Sequence, residues 1–269
     1  MLMSTRESAL PRLNIQAYSL EGQRAAVTGA SSGIGEAIAR AQAEAGASVA
    51  VNHARGADRA GEVVADICAA RARAVAVKAD VSQEAEVQAI FATMLDELEG
   101  IDIPVINAGL QADASVAEMT LEQWNNVIGI NLTGQFRCSR EAVRHFLRQG
   151  VRPIVSSAAG KIVCVSSVHD VIPWAGHANY AKGGVAMFMK TMAREPADKK
   201  IRVNRVSPGA IKTPINKAAW DTPEAEAKLI ELIPYGRVGV VDDTPGRWRG
   251  SPATTPIMPT APRSMWTAG

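Results

Sequence analysis

The stretch Val27-Thr28-Gly29-Ala30-Ser31-Ser32-Gly33-Ile34-Gly35 joins a predicted strand to a predicted helix. Arg24–Val27 is typical of a short buried strand, and residues 34–45 carry small and apolar side chains on one face and end before Gly46. Such a glycine-rich turn lets the backbone approach a pyrophosphate, and the helix N-terminus attracts its charge. The spacing Gly-x3-Gly-x-Gly differs from G-x-G-x-x-G, so this stretch alone favours either a nucleotide site or an ordinary strand-to-helix turn.

The composition favours a single α/β domain. The 269 residues are 47% apolar and 21% charged, with a net charge of +2, so no basic surface indicates nucleic acid as a partner. No apolar run is long enough for a membrane span, and residues 1–17 lack the apolar segment of a secretory signal. The three cysteines have no metal-ligand spacing, so we expect no metal site. We expect a cytoplasmic protein with an N-terminal extension over residues 1–17.

Predicted strands and helices alternate along the rest of the chain. After the first strand, strands are predicted over 48–52, 74–78, 103–106, 161–165 and 201–206. Helices are predicted over 58–71, 83–99 with Ser82 as N-cap, 121–149 and 178–194. This order predicts a Rossmann-like, doubly wound parallel sheet in a three-layer α/β/α domain over residues 18–243.

Ligands of such sheets bind at the carboxyl ends of the strands. The residues that this chain places there are small or polar, namely Thr28, Asn52, Asp80, Asn107, Ser167 and Ser207. Each is an ordinary loop residue by itself. Because they converge on one edge of the predicted sheet, together they predict a ligand site.

Several motifs resemble those of the short-chain dehydrogenases/reductases in order and in nearly the same spacing. They are Thr28-Gly29-x3-Gly33-x-Gly35, Asn107-Ala108-Gly109, Asn131-Leu132-Thr133-Gly134, Ser167, Tyr180, Lys182 and Pro208-Gly209. The resemblance runs from about Tyr18 to Asp242 and implies an enzyme that uses NAD or NADP and a small-molecule alcohol or sugar.

Two segments narrow the implied substrate. Residues 166–174 and 208–216 are similar to those of bacterial glucose 1-dehydrogenases, which implies oxidation at the C1 hydroxyl of glucose. The alternatives are a 3-oxoacyl thioester reductase, another polyol dehydrogenase, and an NAD(P)-binding homologue with impaired catalysis.

The resemblance also implies catalytic roles. Tyr180 would remove the hydroxyl proton, while Lys182 would lower the pKa of Tyr180 and bind the nicotinamide ribose. Ser167 would orient the substrate oxygen, and Asn131 would hold a water that relays the proton outward. Since an ordinary tyrosine has a pKa of about 10, it needs a nearby cation to act as a base at neutral pH.

The implied cofactor-binding residues follow the same motifs. They are Gly29, Ser31, Ser32, Gly33, Ile34, Gly35, Asn52, Arg55, Asp80, Val81, Asn107, Ala108, Gly109, Pro208, Gly209, Ile211 and Thr213. The segment after the second strand has no carboxylate to bind the ribose hydroxyls, and Arg55 could meet a 2′-phosphate. We therefore expect NADP to be accepted without NAD being excluded.

Two departures from the family pattern concern the site. Ile106 stands where relatives usually carry a second asparagine, so we expect one polar contact to be lost. The family spacing Tyr-x3-Lys is shortened to Tyr180-Ala181-Lys182. Residues i and i+2 of a helix point about 200° apart, so a regular helix cannot direct both side chains into the cleft.

The third departure is the tail, residues 244–269, which is rich in Pro, Thr, Arg and Trp and has no periodicity. Read in another frame from the third base of the Thr244 codon, it can encode a helix end, a turn and a strand closing in Val-Asp-Gly-Gly. We predict a one-nucleotide frameshift near Asp243 and an irregular tail. Relatives commonly use the lost helix and strand to form homotetramers, so the tail puts the implied homotetramer in doubt.

Overall fold

The structure is a computed structural model that describes residues 19–174 and 180–244. The predicted N-terminal extension and the predicted irregular tail, apart from Thr244, lie outside the described residues. So do the first two residues of the helix predicted over 178–194.

Six parallel strands form one sheet in the described part of the chain. They are β1 Arg24–Val27, β2 Ser48–His53, β3 Ala74–Lys78, β4 Ile103–Ile106, β5 Gly160–Val165 and β6 Ile201–Val206. Their order is β3-β2-β1-β4-β5-β6, with every pairing parallel. The order reverses between β1 and β4, where doubly wound sheets open a ligand crevice. The predicted doubly wound sheet is confirmed.

Helices connect the strands on both faces. They are α1 Gly33–Glu44, α2 Ala57–Ala69, α3 Glu84–Leu98, α4 Leu121–Ile128, α5 Gly134–Gln149, α6 Tyr180–Arg194 and α7 Pro223–Ile230. Short 3-10 helices cover Val168–Asp170, Ala197–Lys199, Pro214–Ala219 and Val241–Asp243.

Two local predictions need correction. The helix predicted over 121–149 is interrupted by a π-helical turn, Gly129–Thr133, which carries Asn131. Ser82 does not cap α3, because it lies one residue before the N-cap position, in a turn where its backbone N–H donates to Asp80 Oδ1 at 2.8 Å. Gln83 occupies the N-cap position instead, without a side-chain capping bond.

Apolar side chains fill both faces of the sheet. One cluster joins α3, α5 and α6 to the sheet and includes Ile90, Met94 and Phe146, while the other joins α1 and α2 and includes Ile38 and Val63. Because successive strand residues face opposite sides, neighbouring residues of β1 to β5 divide between the two clusters. The result is the three-layer arrangement that the alternating pattern predicts.

Neither a membrane-spanning helix nor a metal cluster is found among the described residues. No helix there is long and apolar enough to cross a membrane. Within residues 19–174 and 180–244, no group of three or more His, Cys, Asp or Glu side chains could hold a metal ion.

Candidate active site

The glycine-rich turn and the loop after β4 are joined at the carboxyl edge of the sheet. Thr28 Oγ1 accepts hydrogen bonds from the backbone N–H groups of Asn107 at 2.9 Å and Ala108 at 3.0 Å. Asn107 Nδ2 donates to the carbonyl oxygens of Thr28 at 3.0 Å and Gly29 at 3.1 Å. A Cβ atom at Gly35 would lie 2.3 Å from the Gly29 oxygen and 2.5 Å from Asn107 Nδ2, so only glycine fits. The backbone of the crevice is therefore fixed.

The first turn of α1 supplies hydrogen-bond donors beside this crevice. Ser32 takes the N-cap position in an extended conformation, and its side chain makes no capping hydrogen bond. The first N–H groups of a helix have no intrahelical acceptor, so those of Gly33 and Ile34 can bind an anion. Gly33 has a φ of +60°, a conformation that favours glycine.

Asn52 supports the glycine-rich turn from beneath. It is buried, its Nδ2 donates to the carbonyls of Val77 at 3.1 Å and Ala79 at 3.0 Å, and its Oδ1 accepts from Gly29 N–H at 3.2 Å. Both ends of the amide are thus used by backbone groups. The structure places Asn52 as a support for the turn.

The segment after β2 runs beside the glycine-rich turn. Arg55 is exposed, and the Cβ position of the following residue, Gly56, lies 3.6 Å from Ser31 Oγ. Before it, His53 is buried, and its Nδ1 has no hydrogen-bond partner among the described residues. The sequence analysis does not include His53 among the candidate site residues, although it directly follows Asn52.

The loop after β3 contains Asp80 and Val81. Asp80 shapes the turn into α3, since its N–H donates to Glu86 Oε2 at 2.7 Å. Val81 is buried against the start of α5, where a Cβ atom at Gly134 would lie 2.8 Å from Val81 Cγ2. These two predicted cofactor-binding residues therefore lie next to the turn that carries Asn131.

Asn131 fixes the loop that follows β4. Its Oδ1 accepts from Leu110 N–H and its Nδ2 donates to the Leu110 carbonyl, both at 2.8 Å. The Cβ position of Gly109 is 3.3 Å from Asn131 Oδ1, which brings these two predicted site residues together.

Ser167 follows β5 and begins a short polar turn. Its Oγ accepts from His169 N–H at 3.2 Å. In the same turn, the Asp170 carboxylate is 2.6 Å from an Arg205 guanidinium nitrogen and accepts from Ser207 Oγ at 2.8 Å. The side chain of Asp170 is only 2% exposed, so this ion pair is an internal tie between the ends of β5 and β6.

The loop after β6 also reaches the site. The N–H group of Val168 donates to the Pro208 carbonyl at 2.9 Å, and Thr213 Cγ2 lies 3.5 Å from the Cβ position of Gly33. Thr213 Oγ1 donates to Asn216 Oδ1 at 2.8 Å. The predicted cofactor residues on this loop are Pro208, Gly209, Ile211 and Thr213.

Lys182 points toward the sheet from the first turn of α6. Its Nζ donates to the Val165 carbonyl at 3.0 Å, two residues before Ser167. Burial removes the ammonium group from water and lowers the pKa of Lys182 to about 8, against a smaller opposing effect of Cys164 and Asp170.

Tyr180 points to a different part of the molecule. Its hydroxyl donates to Met119 Sδ at 2.9 Å, and its ring stacks on Trp124 with centroids 4.2 Å apart. Burial, together with the charge of Asp113, raises the pKa of Tyr180 above its ordinary value. The resemblance implies that Lys182 lowers the pKa of Tyr180. In this arrangement Lys182 is not among the groups that shift that pKa.

The physical reason for this separation is the regular first turn of α6. Tyr180 and Lys182 are residues i and i+2 of one helix, so they point about 200° apart. The helix start does not distort to bring them together, and no hydrogen bond links them among the described residues.

Gln135 is a second residue that sequence reasoning missed. It is fully buried on α5, and its Nε2 donates to the carbonyls of Ile106 at 2.9 Å and Val165 at 3.2 Å. It ties the ends of β4 and β5 and shares the Val165 acceptor with Lys182. The signal in the sequence that could have identified Gln135 is a polar residue one helical turn after Asn131, on the face of α5 that packs against the sheet.

Comparisons with known proteins identify the family. A model of the short chain dehydrogenase family matches residues 23–224. The chain belongs to the short-chain dehydrogenase family. This short-chain dehydrogenase is 42% identical over 226 residues to 3beta-hydroxysteroid dehydrogenase 1 of Eggerthella lenta, covering 83% of this chain and 84% of the relative. It is 38% identical over 233 residues to a 3-oxoacyl-[acyl-carrier-protein] reductase of Synechocystis sp., covering 86% and 89%.

Solved structures agree with this assignment. A short-chain type dehydrogenase/reductase from Mycobacterium marinum has a TM-score of 0.81 and 34% identity, over 89% of this chain and 91% of that one. A gluconate 5-dehydrogenase from Burkholderia cenocepacia J2315, solved with NADP and tartrate, has a TM-score of 0.80 and 30% identity over the same shares.

The geometry of this short-chain dehydrogenase thus gathers most of the predicted site at one edge. The glycine-rich turn, the loops after β4 and β6, and the α4–α5 turn are linked by the contacts above. Ser167 and Lys182 lie at the end of β5, whereas the Tyr180 hydroxyl lies against Met119.

Proposed function

We propose that this short-chain dehydrogenase oxidises an alcohol to a carbonyl compound, or catalyses the reverse, with NAD or NADP as cofactor. The observation that carries the proposal is the tight fit at Gly35, where a Cβ atom would meet the Gly29 carbonyl at 2.3 Å. It leaves a bare backbone turn in front of the donors of α1, which fits a pyrophosphate. The bound nicotinamide would accept the hydride.

Each part of the crevice would hold one part of the cofactor. The turn Gly29–Gly35, with Ser31 and Ser32, would bind the pyrophosphate, and Asp80 and Val81 the adenine. Asn52 would act through Gly29, and the exposed Arg55 would meet a 2′-phosphate. The remaining binding residues line the nicotinamide half, namely Asn107, Ala108, Gly109, Lys182, Pro208, Gly209, Ile211 and Thr213.

Glucose is the first substrate that we propose. Its support is the similarity of residues 166–174 and 208–216 to glucose 1-dehydrogenases. Ser167 would orient the reacting oxygen, and Asn131 would hold a relay water. Because the Tyr180/Lys182 spacing is shortened, we expect slow turnover. If turnover is absent, the protein is a homologue that only binds NAD(P).

A larger, less polar alcohol is a second candidate. Val171, Ile172 and Trp174 follow Ser167 closely in the chain and are 45%, 44% and 45% exposed. Exposed apolar side chains near a polar site suit an apolar substrate better than a sugar. The names of the steroid and acyl-carrier-protein relatives are in keeping with such a compound.

Four probe alcohols separate these candidates. Reduction of NAD and NADP would be measured with D-glucose, D-gluconate, a 3β-hydroxysteroid and a 3-hydroxyacyl thioester, and NADPH binding by nicotinamide fluorescence. We expect turnover with one of the sugars. Turnover of the steroid or thioester alone would favour the second candidate, and binding without turnover would favour the impaired homologue.

A binding-deficient variant is the control for these measurements. In Gly35→Ala, the added methyl group would displace the Gly29 carbonyl, so binding should be lost while the fold stays intact by circular dichroism. Equal NADPH binding by Gly35→Ala and the unaltered chain would contradict the proposed cofactor site.

The assembly state belongs to the same proposal. We propose the homotetramer that the resemblance implies, with the tail as the reason for doubt. Light scattering coupled to gel filtration would measure the mass directly.

A further inference from the structure

The loop after β6 is organised by one side chain, Asn216. Its Oδ1 accepts hydrogen bonds from the N–H group of Thr213 at 3.0 Å, from Thr213 Oγ1 at 2.8 Å and from Trp220 Nε1 at 3.1 Å. Its Nδ2 donates to the Ile211 carbonyl at 2.9 Å. Asn216 therefore uses both ends of its amide to join the two ends of residues 211–220.

These contacts exceed what the local helix requires. Thr213 and Asn216 are the N-cap and N3 residues of the 3-10 helix Pro214–Ala219, where a capping side chain at N3 needs only the bond from the N-cap N–H group. The bonds from the Thr213 hydroxyl and the Trp220 indole are additional. Because an amide oxygen has two lone pairs, three donors fill its capacity. The hydroxyl and the indole thus share one saturated acceptor.

Thr213 itself lies at the cofactor edge of the sheet. It is buried, and its Cγ2 is 3.5 Å from the Cβ position of Gly33 in the glycine-rich turn. A hydroxyl group has one hydrogen and two lone pairs. Since Thr213 Oγ1 gives its hydrogen to Asn216, it can only accept a hydrogen bond from a ligand.

We propose that Asn216 is a positioning residue that makes Thr213 a hydrogen-bond acceptor for the amino group of the nicotinamide carboxamide. The inference rests on the proposed function, in which Thr213 belongs to the nicotinamide half of the crevice. A carboxamide presents an N–H₂ donor and a C=O acceptor, and a hydroxyl of fixed polarity binds only the donor. Asn216 thereby fixes the orientation of the carboxamide.

The same arrangement couples the cofactor site to Trp220. A hydroxyl that accepts a hydrogen bond becomes a stronger donor, because hydrogen bonds in a chain polarise one another. The bond from Thr213 Oγ1 to Asn216 Oδ1 then competes with the bond from Trp220 Nε1 to the same oxygen. We therefore expect the indole N–H group of Trp220 to respond when the carboxamide binds.

Cofactor analogues test the polarity of Thr213. The acetylpyridine analogue of NADP+ carries a methyl group in place of the carboxamide amino group, whereas the thionicotinamide analogue keeps the amino group. We expect the unaltered chain to bind the acetylpyridine analogue about three- to tenfold more weakly than NADP+, the effect of one lost hydrogen bond. The thionicotinamide analogue should bind about as tightly as NADP+. Calorimetry measures all three, and equal affinities for the two analogues would overturn the inference.

Matched variants separate this role from a purely structural one. Asn216→Asp keeps the acceptor oxygen, and Asn216→Leu removes it at similar size. We expect Asn216→Asp to preserve the discrimination between the analogues and Asn216→Leu to abolish it, because the Thr213 hydroxyl can then turn and donate. Lys217→Met, an exposed change in the same 3-10 helix, is the control and should discriminate like the unaltered chain. Discrimination that persists in Asn216→Leu would overturn the role of Asn216.

A spectroscopic measurement needs neither turnover nor a variant of Asn216. In a chain with isotope-labelled tryptophan, the indole NMR signal that is absent from Trp220→Phe should move with NADP+ and with the thionicotinamide analogue. It should stay in place with the acetylpyridine analogue. Equal shifts with all three compounds, or no shift while NADP+ is bound, would overturn the inference alone. An unaltered chain that binds none of the three would overturn the proposed function, and the inference with it.

Discussion

Asn52 shows how one buried side chain holds the cofactor edge. Its amide satisfies the carbonyls of Val77 and Ala79 and the N–H group of Gly29, so three backbone groups depend on it. A buried polar group that loses its partner costs about 1–3 kcal/mol. We expect Asn52→Leu to lower the free energy of unfolding by about 2–4 kcal/mol and to weaken NADPH binding. Urea denaturation and fluorescence titration measure these effects, and Asn126→Leu, at an exposed position of α4, is the control.

Burial of Lys182 lowers the stability of the fold, whereas burial of Asn52 raises it. Burial lowers its pKa to about 8 in the folded chain, against about 10.4 in the unfolded chain. Between these values the unfolded chain binds more protons, so the free energy of unfolding should rise as pH increases from about 8 to 10.4. Lys161, whose pKa is also lowered to about 8 by burial, contributes in the same window.

Replacing Lys182 should therefore stabilise the fold while it removes function. In Lys182→Met, the Val165 carbonyl keeps its bond from Gln135, and no ammonium has to be buried. We expect the free energy of unfolding at pH 7 to increase by about 1–3 kcal/mol, measured by urea denaturation. A less stable variant would show that the Lys182 hydrogen bond outweighs the cost of burying its charge.

At the scale of elements, the start of α6 decides whether Tyr180 and Lys182 lie on the same helix face. Inserting Ala-Ser between Ala181 and Lys182 places Tyr180 and the lysine four residues apart, on one helix face. We expect this variant to raise kcat at least about tenfold and to shift its pH profile to lower values, because a nearby lysine would lower the pKa of the tyrosine. The matched control inserts Ala-Ser directly after Lys182, which lengthens α6 equally and keeps the original spacing. Equal activity of the two insertions would contradict this explanation.

The elements themselves could be predicted from the sequence because their signals are local. β3, β4 and β6 have the bounds that their apolar runs predict, and the helix–strand order predicts the parallel sheet. The π turn at Gly129–Thr133 interrupts a continuous helical pattern, so periodicity alone does not reveal it. The contact of Tyr180 with Met119 joins residues 61 positions apart. No local pattern encodes such a contact, although the shortened spacing does predict that Tyr180 and Lys182 diverge.

At the scale of the whole molecule, the sequence of the tail determines whether the β6 edge of the sheet can be covered. Within the described residues β6 is an edge strand, paired only with β5, and five of its six residues are partly exposed. We expect a chain whose tail is replaced by the alternative-frame sequence to be more stable, because a helix and a strand would cover this edge. Thermal unfolding measures the difference, with a scrambled version of the new tail as control. Source DNA without such a frame would contradict the frameshift.

The amino ends of the central strands β1 and β4 are where the molecule gains stability that depends on pH. Asp102 pairs with Arg24 at 2.8 Å and with Arg152 at 3.1 Å, and despite its burial the hydrogen bonds and charge of Arg24 keep its pKa below the usual range. Beside it, burial lowers the pKa of His145, whose Nε2 accepts from Ile101 N–H at 3.4 Å.

The lowered pKa values of His145 and Asp102 predict that stability is lost in acid, each in its own pH range. The His145 contribution is full above about pH 6.5 and is lost as the pH falls toward its lowered folded pKa, because the unfolded chain takes up the proton first. The Asp102 contribution is full above about pH 3.9 and is lost below it. We expect His145→Gln to flatten the stability curve directly below about pH 6.5 and to leave the decline near pH 4 unchanged. A decline directly below about pH 6.5 that persists in His145→Gln would assign it to another group.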